Sequence, residues 1–346
     1  MIFTTLFDSY YLDKGIALYR SLERVTDDFI IYIYAFDEKA YTVLKALELK
    51  HAVIIKKEEL ERKYPILEKL KGERSKAEYS WTCTPVSIEY VLDVYNESNC
   101  TYIDADLFFF SDPKVLLTEI NDVNANIVIT PHRFTNSLKD RRLENRSGKY
   151  CVEFNYFDNT SNSRKALSWW KEKCFEWCYH IYEKDRMGDQ KYLVKFPELF
   201  EGVHELKNLG GGTAPWNLAQ YEYTGNSIEG VSYDGKRYKT PVMREKASGI
   251  EFPVVFYHFQ SMRYISQNFI IIRSETHSKK TKDVLYRPYL IELELIRKEL
   301  REKFGVTFNV AQAYASNPIM KFVQKYILRF KMKSFSDLYD LRKLRE

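Results

Sequence analysis

The chain opens with a buried-strand pattern, I-F-T-T-L at Ile2–Leu6. In the next segment, Leu12–Leu22, apolar residues recur at helical spacing and predict an amphipathic helix. The alternation continues with a strand at Phe29–Ala35, a helix at Ala40–Leu49 and a short strand at Val53–Ile55. Strands and helices that alternate in this way are typical of parallel strands joined by crossover helices. The first 55 residues therefore predict an α/β fold.

The end of the first strand is a candidate ligand site, because ligands of such sheets collect at the carboxyl ends of the strands. We take four residues there as candidate nucleotide contacts: Thr4, Thr5, Phe7 and Asp8. No glycine-rich phosphate loop follows this strand, neither G-x-G-x-x-G nor G-x-x-x-x-G-K. This absence argues against a dinucleotide-binding or P-loop enzyme.

A second informative stretch is C-T-Y-I-D-A-D-L-F-F-F-S-D-P, Cys100–Pro113. Asp104 and Asp106 lie there between apolar runs of buried-strand character. Carboxylates in such a setting are costly to bury unless a cation meets them. A divalent cation is the expected partner, because hard cations take carboxylate oxygens and bind substrate phosphates through their open positions. The alternative is an aspartate-rich turn with solvated carboxylates, but the flanking apolar runs favour the metal site.

Positive charge is concentrated near the C-terminus. The formal net charge is +5, and Lys321–Glu346 contains eight Lys or Arg against three Asp or Glu. The remaining chain is close to neutral, which argues against a nucleic-acid-binding surface spread over the protein. Ile319–Met332 alternates apolar and basic residues at helical spacing. This segment either docks on an anionic membrane or packs on the domain with a solvated basic face.

Cysteine usage and hydropathy bear on the compartment. The five cysteines are sparse, and neither a secretory signal nor an apolar run of membrane-spanning length is visible. We therefore expect a reduced, cytoplasmic protein, with the basic segment as its candidate contact with the inner face of the membrane. Cys174 and Cys178 lie at helical spacing near His180. Zinc sites prefer closer pairs and a second pair elsewhere, so core cysteines are favoured over a zinc site.

The middle of the chain contains two long helices and a polar segment. We predict a helix that begins at Pro85, a tolerated first-turn position, with Trp81 before it as either a core residue or a wall of the nucleotide pocket. Phe134–Lys149 is charged and without period, which predicts a long functional or disordered loop. An aromatic-rich helix is predicted over Ser163–Lys184.

Three later features have a structural alternative beside a functional one. Asp189 precedes a short predicted helix, where aspartate is a common N-cap. The glycine-rich loop Asn208–Asn217 indicates that the backbone approaches something closely. His258 ends the buried strand predicted at Pro253–Phe259, and a lone histidine there is more often a satisfied core residue. Asp234-Gly235 is a hairpin signal.

Taken in order, these features resemble the GT-A glycosyltransferases, closest to the retaining family-eight type and its bacterial surface-polysaccharide relatives. The resemblance covers about residues 1–275. It implies a Rossmann-like mixed sheet with flanking helices as the catalytic domain, with residues 276–346 as a helical basic extension. It also implies that Asp104-Ala105-Asp106 contacts a nucleotide-sugar donor through Mn²⁺ or Mg²⁺, with His258 as the third metal ligand.

The same resemblance assigns the sugar-binding residues. Asp189 and Gln190 match the D-Q pair that faces the reacting sugar, and Asn155, Gly211 and Gly212 match segments that line the sugar and acceptor. The implied reaction moves a sugar from a UDP-linked donor to a glycan or lipid-linked glycan in cell-surface polysaccharide synthesis, with retention. In an inverting reaction, Asp189 would instead be the base.

One family signature, H-x-x-G-x-x-K-P-W, is not intact after His258. The lysine that would hold the donor diphosphate is therefore not located, and Arg263 is a candidate replacement. Two other functions compete with a glycosyltransferase. A haloacid-dehalogenase phosphatase expects Thr or Val where Phe108 stands, and it expects its motif near the N-terminus. A non-catalytic carbohydrate- or nucleotide-binding protein would not need D-x-D, D-Q and His together.

Overall fold

The computed structural model describes residues 1–232, 235–272, 278–308 and 338–344. In this part of the chain the first eight strands are β1 Ile2–Phe7, β2 Ile30–Ala35, β3 Ala52–Lys56, β4 Asn99–Ile103, β5 Leu107–Phe109, β6 Ile127–Pro131, β7 Tyr150–Asp158 and β8 Val203–Glu205. Seven of them form a central sheet in the order β3-β2-β1-β4-β7-β6-β8. β3, β2, β1 and β4 are parallel, whereas β7 is antiparallel to both β4 and β6. The predicted α/β fold with a mixed sheet and flanking helices is confirmed.

Helices cover both faces of this sheet. Their bounds are α1 Leu12–Val25, α2 Glu38–Ala46, α3 Lys57–Lys63, α4 Ile66–Glu73, α5 Lys76–Val94, α6 Lys114–Asp122, α7 Leu138–Ser147, α8 Ser161–Glu176, α9 Phe196–Leu199 and α10 Lys279–Phe304. One core lies between the sheet and α1, α2, α6 and α10, and a second lies between the sheet and α5, α8 and α9. Short 3-10 helices span Gln190–Lys195, Leu218–Gln220 and Leu341–Leu344.

Smaller sheets flank the central one. The strands are β9 Tyr221–Val231, β10 Arg237–Glu245, β11 Glu251–Pro253, β12 Phe256–His258, β13 Arg263–Tyr264, β14 Phe269–Ile271 and β15 Leu338–Asp340. β12 runs antiparallel to β5, with His258 opposite Leu107. This pairing decides the site, because it joins the predicted late histidine to the residue that follows the D-A-D turn. The predicted hairpin is formed by β9 and β10, although Asp234 itself lies outside the described residues.

Helix α10 packs on α1 through ion pairs as well as apolar contacts. Arg297 Nε lies 2.5 Å from Asp13 Oδ2, and Arg20 Nη2 lies 2.5 Å from Glu299 Oε2. Apolar side chains of α10 also belong to the core that contains α1. The predicted domain boundary after residue 275 stays a prediction. The basic segment Ile319–Met332 lies outside the described residues, and its predicted membrane contact also stays a prediction.

Two helix predictions had wrong boundaries. The helix predicted to begin at Pro85 begins at Lys76, after a capping box in which Ser75 accepts from the Glu78 N–H and Glu78 accepts from the Ser75 N–H. Pro85 is therefore inside α5, where buried side chains on both sides of it hold the helix together. The helix predicted over Ser163–Lys184 ends at Glu176.

The end of α8 has a clear physical cause. Arg74 Nη2 donates to the carbonyl of Phe175 (2.8 Å), and the Tyr192 hydroxyl donates to the carbonyl of Trp177 (2.8 Å). These tertiary donors take carbonyls that a longer helix would use. Cys174 and Cys178 are nevertheless neighbours in the apolar core, which confirms the core interpretation over a zinc site.

The predicted loop Phe134–Lys149 contains α7. Ser137 accepts a hydrogen bond from the Asp140 N–H (3.1 Å) and caps this helix. α7 has no apolar period because none of its residues is buried, which is why periodicity missed it. Among the described residues, no helix combines the length and the apolar character that crossing a membrane requires.

Candidate active site

The D-A-D turn is held by backbone hydrogen bonds to strands that are distant in sequence. The Asp104 N–H donates to the carbonyl of Glu153 on β7 (3.2 Å). The Phe259 N–H, directly after β12, donates to the carbonyl of Asp106 (2.9 Å). Because β12 also pairs with β5, His258 is carried to the two aspartates by main-chain geometry.

The imidazole of His258 bridges three carboxylates. Its Nε2 lies 3.0 Å from Asp106 Oδ1 and 3.7 Å from Asp104 Oδ2. Its Nδ1 lies 2.7 Å from Glu153 Oε2, and both side chains are almost fully buried. The predicted D-x-D and histidine therefore meet. Sequence reasoning missed Glu153, although an acidic residue inside the apolar strand C-V-E-F-N-Y was a usable signal.

Burial and mutual charge shift the pKa values of this group. Burial raises the pKa of Asp104 to about 6; His258 opposes this shift, whereas Asp106 and Glu153 add to it. Burial also raises the pKa of Asp106, but His258 and Lys14 lower it by more, so it falls below its usual value. Burial lowers the pKa of His258, but Asp106 and Glu153 raise it well above 6.5. The negative charge of the three carboxylates therefore exceeds the positive charge of the cationic side chains around them.

This excess of negative charge fits a divalent cation. Asp104 and Asp106 supply carboxylate oxygens, and His258 supplies Nε2 when its Nδ1–H donates to Glu153. Carboxylates suit Mn²⁺ and Mg²⁺. The Asp104 side chain is 29% exposed, so an ion there would remain open to a ligand on that side.

Cys151 is a further neighbour that the sequence did not indicate. Its Sγ, a carboxylate oxygen of Asp104 and a ring nitrogen of His258 lie within 4.8 Å of one another. Burial raises the pKa of this thiol to about 12, so it stays protonated at neutral pH. A neutral thiol is a poor ligand for Mn²⁺ or Mg²⁺, so we assign it to packing beside His258.

Asp189 and Gln190 face in different directions. Burial raises the pKa of Asp189 to about 7; Thr84 opposes the shift by hydrogen bonding, and the nearby charge of Asp104 adds to it. Asp189 stands at the N-cap position of the 3-10 helix Gln190–Lys195, as the sequence predicted, but its side chain makes no capping hydrogen bond. By contrast, Gln190 Nε2 donates to the carbonyl of Ser147 at the end of α7 (2.7 Å). Asp189 therefore lies near Asp104, whereas the side chain of Gln190 binds the end of α7.

Asn155 lies fully buried on β7, two residues after Glu153. Its Oδ1 accepts from the Thr130 N–H (3.3 Å), whereas its Nδ2 has no hydrogen-bond partner in the described structure. A buried amide donor without a hydrogen-bond partner is uncommon, and it indicates a group that can bind a ligand. Its predicted role toward the sugar stays a prediction.

The predicted contacts at the end of β1 have varied surroundings. Thr4 Oγ1 donates to the carbonyl of Tyr32 within the sheet, whereas the buried Thr5 Oγ1 has no partner in the described residues. Phe7 packs closely over Gly15, and Asp8 Oδ1 accepts from the Tyr10 N–H. Thr5 is therefore the hydroxyl with unused hydrogen-bonding capacity.

Trp81 packs beside Gly188, immediately before Asp189. An added Cβ at Gly188 would lie 3.3 Å from the indole, and the indole edge also meets His180. Trp81 is only partly buried and packs against the second core. Trp81 therefore packs against the core and lies next to Asp189. Its predicted role as a wall of the nucleotide pocket stays a prediction.

The glycine-rich loop is shaped by packing against protein. An added Cβ at Gly210 would lie 2.2 Å from the carbonyl of Pro253, and one at Gly211 would lie 3.0 Å from Leu116. Gly212 has φ +94°, and its Cβ would lie 2.9 Å from Thr130 and 3.2 Å from Glu153 Oε1. Gly212 is therefore the loop residue that borders the carboxylate behind His258.

Replacing Gly212 with alanine is expected to lower the free energy of unfolding by about 2 kcal/mol or more, because a left-handed φ and a steric clash combine. Gly249→Ala is the matched control, since Gly249 has φ +75° with nothing within 4 Å. It should cost only about 1 kcal/mol. Urea unfolding of both variants checks this prediction, and equal losses would contradict the close approach to Glu153.

No protein-family profile matches the chain. YfnF of Bacillus subtilis strain 168 is 30% identical over 296 residues, which cover 84% of this chain and 89% of YfnF. The chain belongs to the same family as YfnF. YfnD of the same organism is 29% identical over 307 residues, covering 87% of this chain and 91% of YfnD. Both relatives are described as uncharacterised, so family membership does not supply an activity.

Solved structures similar to the chain are glycosyltransferases. The galactosyltransferase LgtC, in complex with donor and acceptor sugar analogues, matches with 13% identity and a TM-score of 0.49, covering 88% of this chain and all of LgtC. GlyE of Streptococcus pneumoniae TIGR4 matches with 14% identity and a TM-score of 0.43, covering 90% of this chain and 65% of GlyE. Mouse xyloside xylosyltransferase 1 matches with 15% identity and a TM-score of 0.41, covering 62% and 86%. At these TM-scores the likeness does not decide the activity, which depends on the site itself.

Proposed function

We propose that this protein is a metal-dependent glycosyltransferase that uses a nucleotide sugar, UDP-linked, as its donor. The observation that carries the proposal is the convergence of Asp104, Asp106 and His258, with Glu153 buried behind the imidazole. A histidine held by a buried carboxylate on one nitrogen, with two aspartates at the other, is the usual arrangement of a metal ligand. The position of this cluster after β4, beside the ends of parallel strands, suits a nucleotide ligand.

The residues divide the chemical work. Asp104, Asp106 and His258 would hold the ion, which when bound stabilises negative charge on a leaving diphosphate. In the transfer, the bond from the anomeric carbon to the diphosphate oxygen breaks, and its electron pair leaves with the diphosphate. The acceptor hydroxyl oxygen forms the new bond to the same carbon. We assign Asn155, whose buried amide nitrogen has no hydrogen-bond partner among the described residues, to a sugar hydroxyl.

The fate of the acceptor proton separates two courses. In a retaining reaction, which the sequence resemblance favours, the leaving phosphate oxygen takes the proton. In an inverting reaction Asp189 takes it, and a carboxyl with a pKa of about 7 is well matched to that task. The anomeric configuration of the product, read by NMR, distinguishes the two. We propose a glycan or lipid-linked glycan of the cell surface as the acceptor.

Nucleotide binding tests the proposal. Calorimetric titration of UDP and of GDP should show binding of one nucleotide that requires Mn²⁺. Asp106→Ala should abolish the metal-dependent part because it removes a ligand that contacts His258 Nε2 at 3.0 Å. Asp28→Ala is the control, since the Asp28 side chain is 77% exposed and far from the site in the fold.

Each outcome has a defined meaning. Binding of neither nucleotide would overturn the donor assignment. Equal binding with and without Mn²⁺ would reduce Asp104 and Asp106 to a structural turn. Metal-dependent binding without any turnover of UDP-sugars would favour a binding protein over an enzyme.

A further inference from the structure

One cavity in the described structure has a basic lining. It has a volume of about 190 Å³ and lies between the start of α1, the segment around β13 and the end of α10. Its charged lining residues are Asp13, Lys14, Lys39, Arg263 and Arg297. Nucleoside-sized ligands occupy pockets of about 300 Å³ or more, so this cavity suits a small anion or one end of a larger ligand.

Lys14 is the distinctive member of this cavity. The residue is only 8% exposed, yet its ammonium has no hydrogen bond or ion pair with any described residue and lies 3.8 Å over the centroid of the Tyr11 ring. Asp13 gives the ammonium no hydrogen bond, because one Asp13 oxygen accepts from Arg297 Nε and the other from the Lys14 backbone N–H. A buried ammonium without a carboxylate partner is costly unless an anion completes it.

The charge of Asp106 also reaches Lys14. Burial lowers the pKa of Lys14, whereas Asp106 and Asp13 raise it and Arg297 and Arg263 lower it. The ammonium is therefore under the influence of Asp106 on one side and of the arginines of the cavity on the other.

The start of α1 adds to this positive field. α1 has 14 residues, and Tyr11 at its N-cap gives no side-chain cap to the first turn. The helix dipole favours an anion at this end, although the Lys14 N–H already donates to Asp13 Oδ1. Arg263, the candidate considered from the sequence, lines the same cavity but is exposed.

We propose that Lys14, together with the dipole at the start of α1, binds the donor diphosphate and replaces the lysine that is missing after His258. The inference rests on the proposed function, because the diphosphate belongs to the nucleotide-sugar donor. A diphosphate there would lie between the Lys14 ammonium and the ion that Asp104 and Asp106 would hold. The diphosphate would then lie against α1, a helix far earlier in the sequence than the D-A-D stretch.

Lys14→Met tests the proposal because it keeps the length of the side chain and removes its charge. UDP, inorganic pyrophosphate and uridine are titrated into the Mn²⁺-loaded protein, with uridine measured by ligand-observed NMR. The variant should bind UDP and pyrophosphate at least tenfold more weakly and uridine unchanged, since a charge-assisted contact is worth about 1.5–3 kcal/mol. Lys14→Gln is a second neutral variant, and thermal unfolding verifies that both are folded. Lys39→Met is the control, because Lys39 lines the same cavity but is exposed.

The results separate this inference from the proposed function. If UDP binds wild type with Mn²⁺ and binds both Lys14 variants equally well, the Lys14 assignment is overturned and the glycosyltransferase proposal stands. If pyrophosphate binds in a Lys14-dependent manner but neither UDP nor GDP binds, the anion site stands and the donor assignment fails. A weakening shared by Lys39→Met would also overturn the proposal, since it would show a diffuse charge effect.

Discussion

Replacing Asp189 with asparagine is expected to stabilise the metal-free protein strongly at pH 8 and to change its stability little at pH 4. The pKa of Asp189 is raised from 3.8 to about 7, first by burial and then by the charge of Asp104. The folded state therefore holds the Asp189 proton more tightly than the unfolded state does. Stability from this group is present at low pH and is lost as the pH rises from about 4 to about 7.

The size of the effect follows from the shift. At about 1.4 kcal/mol per pH unit, ionising Asp189 costs the folded state about 4 kcal/mol at pH 8. Asparagine has the same shape and carries no charge, so it avoids this cost. Urea unfolding of wild type and Asp189→Asn at pH 4 and pH 8, with EDTA present, measures the difference between the two proteins.

The control is Asp140→Asn. Asp140 is partly exposed, and its Oδ2 accepts hydrogen bonds from the N–H and the hydroxyl of Thr135. This control makes the same chemical change away from Asp189 and measures what replacing a hydrogen-bonded Asp by Asn costs at each pH. If the advantage of Asp189→Asn is the same at both pH values, the raised pKa is wrong. Carrying an ionised carboxyl at such a cost is expected at a catalytic position, so Asp189→Asn should also slow sugar transfer, by about 10²-fold or more if Asp189 is the base.

Replacing Glu153 with leucine is expected to weaken Mn²⁺ binding by about 10- to 100-fold. Glu153 Oε2 lies 2.7 Å from His258 Nδ1, so it orients the ring and keeps Nε2 directed at the aspartates. Leucine leaves Nδ1 without an acceptor in a fully buried setting, whereas Glu153→Gln keeps a neutral acceptor there. The glutamine variant should therefore retain an intermediate affinity. Titration of free Mn²⁺ by electron paramagnetic resonance measures each value without depending on turnover.

A control variant separates loss of Mn²⁺ affinity from loss of folding stability. Glu205→Gln is the matched control: Glu205 is a partly buried glutamate on β8 that accepts from the Tyr150 hydroxyl at 2.7 Å. It should leave Mn²⁺ affinity unchanged even where it costs stability. If folded Glu153→Leu protein bound Mn²⁺ as wild type does, Glu153 would be a structural residue, and the imidazole would need another source of orientation.

Several local predictions succeeded because their causes were local. The alternation from β1 to β3 follows from apolar period and turn residues, which a single stretch of chain contains. Local signals failed where tertiary contacts decided the outcome. The start of α5 was missed because its packing overrides the proline within it, and the end of α8 was missed because Arg74 and Tyr192 take its last carbonyls.

By itself, the sequence determined an α/β chain and marked a pair of carboxylates between apolar runs as a candidate cation site, since periodicity and the cost of burying charge are properties of neighbouring residues. Only the tertiary structure decided which groups meet that pair. Pairing of β12 with β5 brings His258 to Asp106, the adjacent β7 brings Glu153 to the other ring nitrogen, and α1 brings Lys14 within the influence of the Asp106 charge. These residues are far apart in the chain, and no local pattern encodes their distance. Strand register and helix packing create the site because they are set by the burial of the whole core.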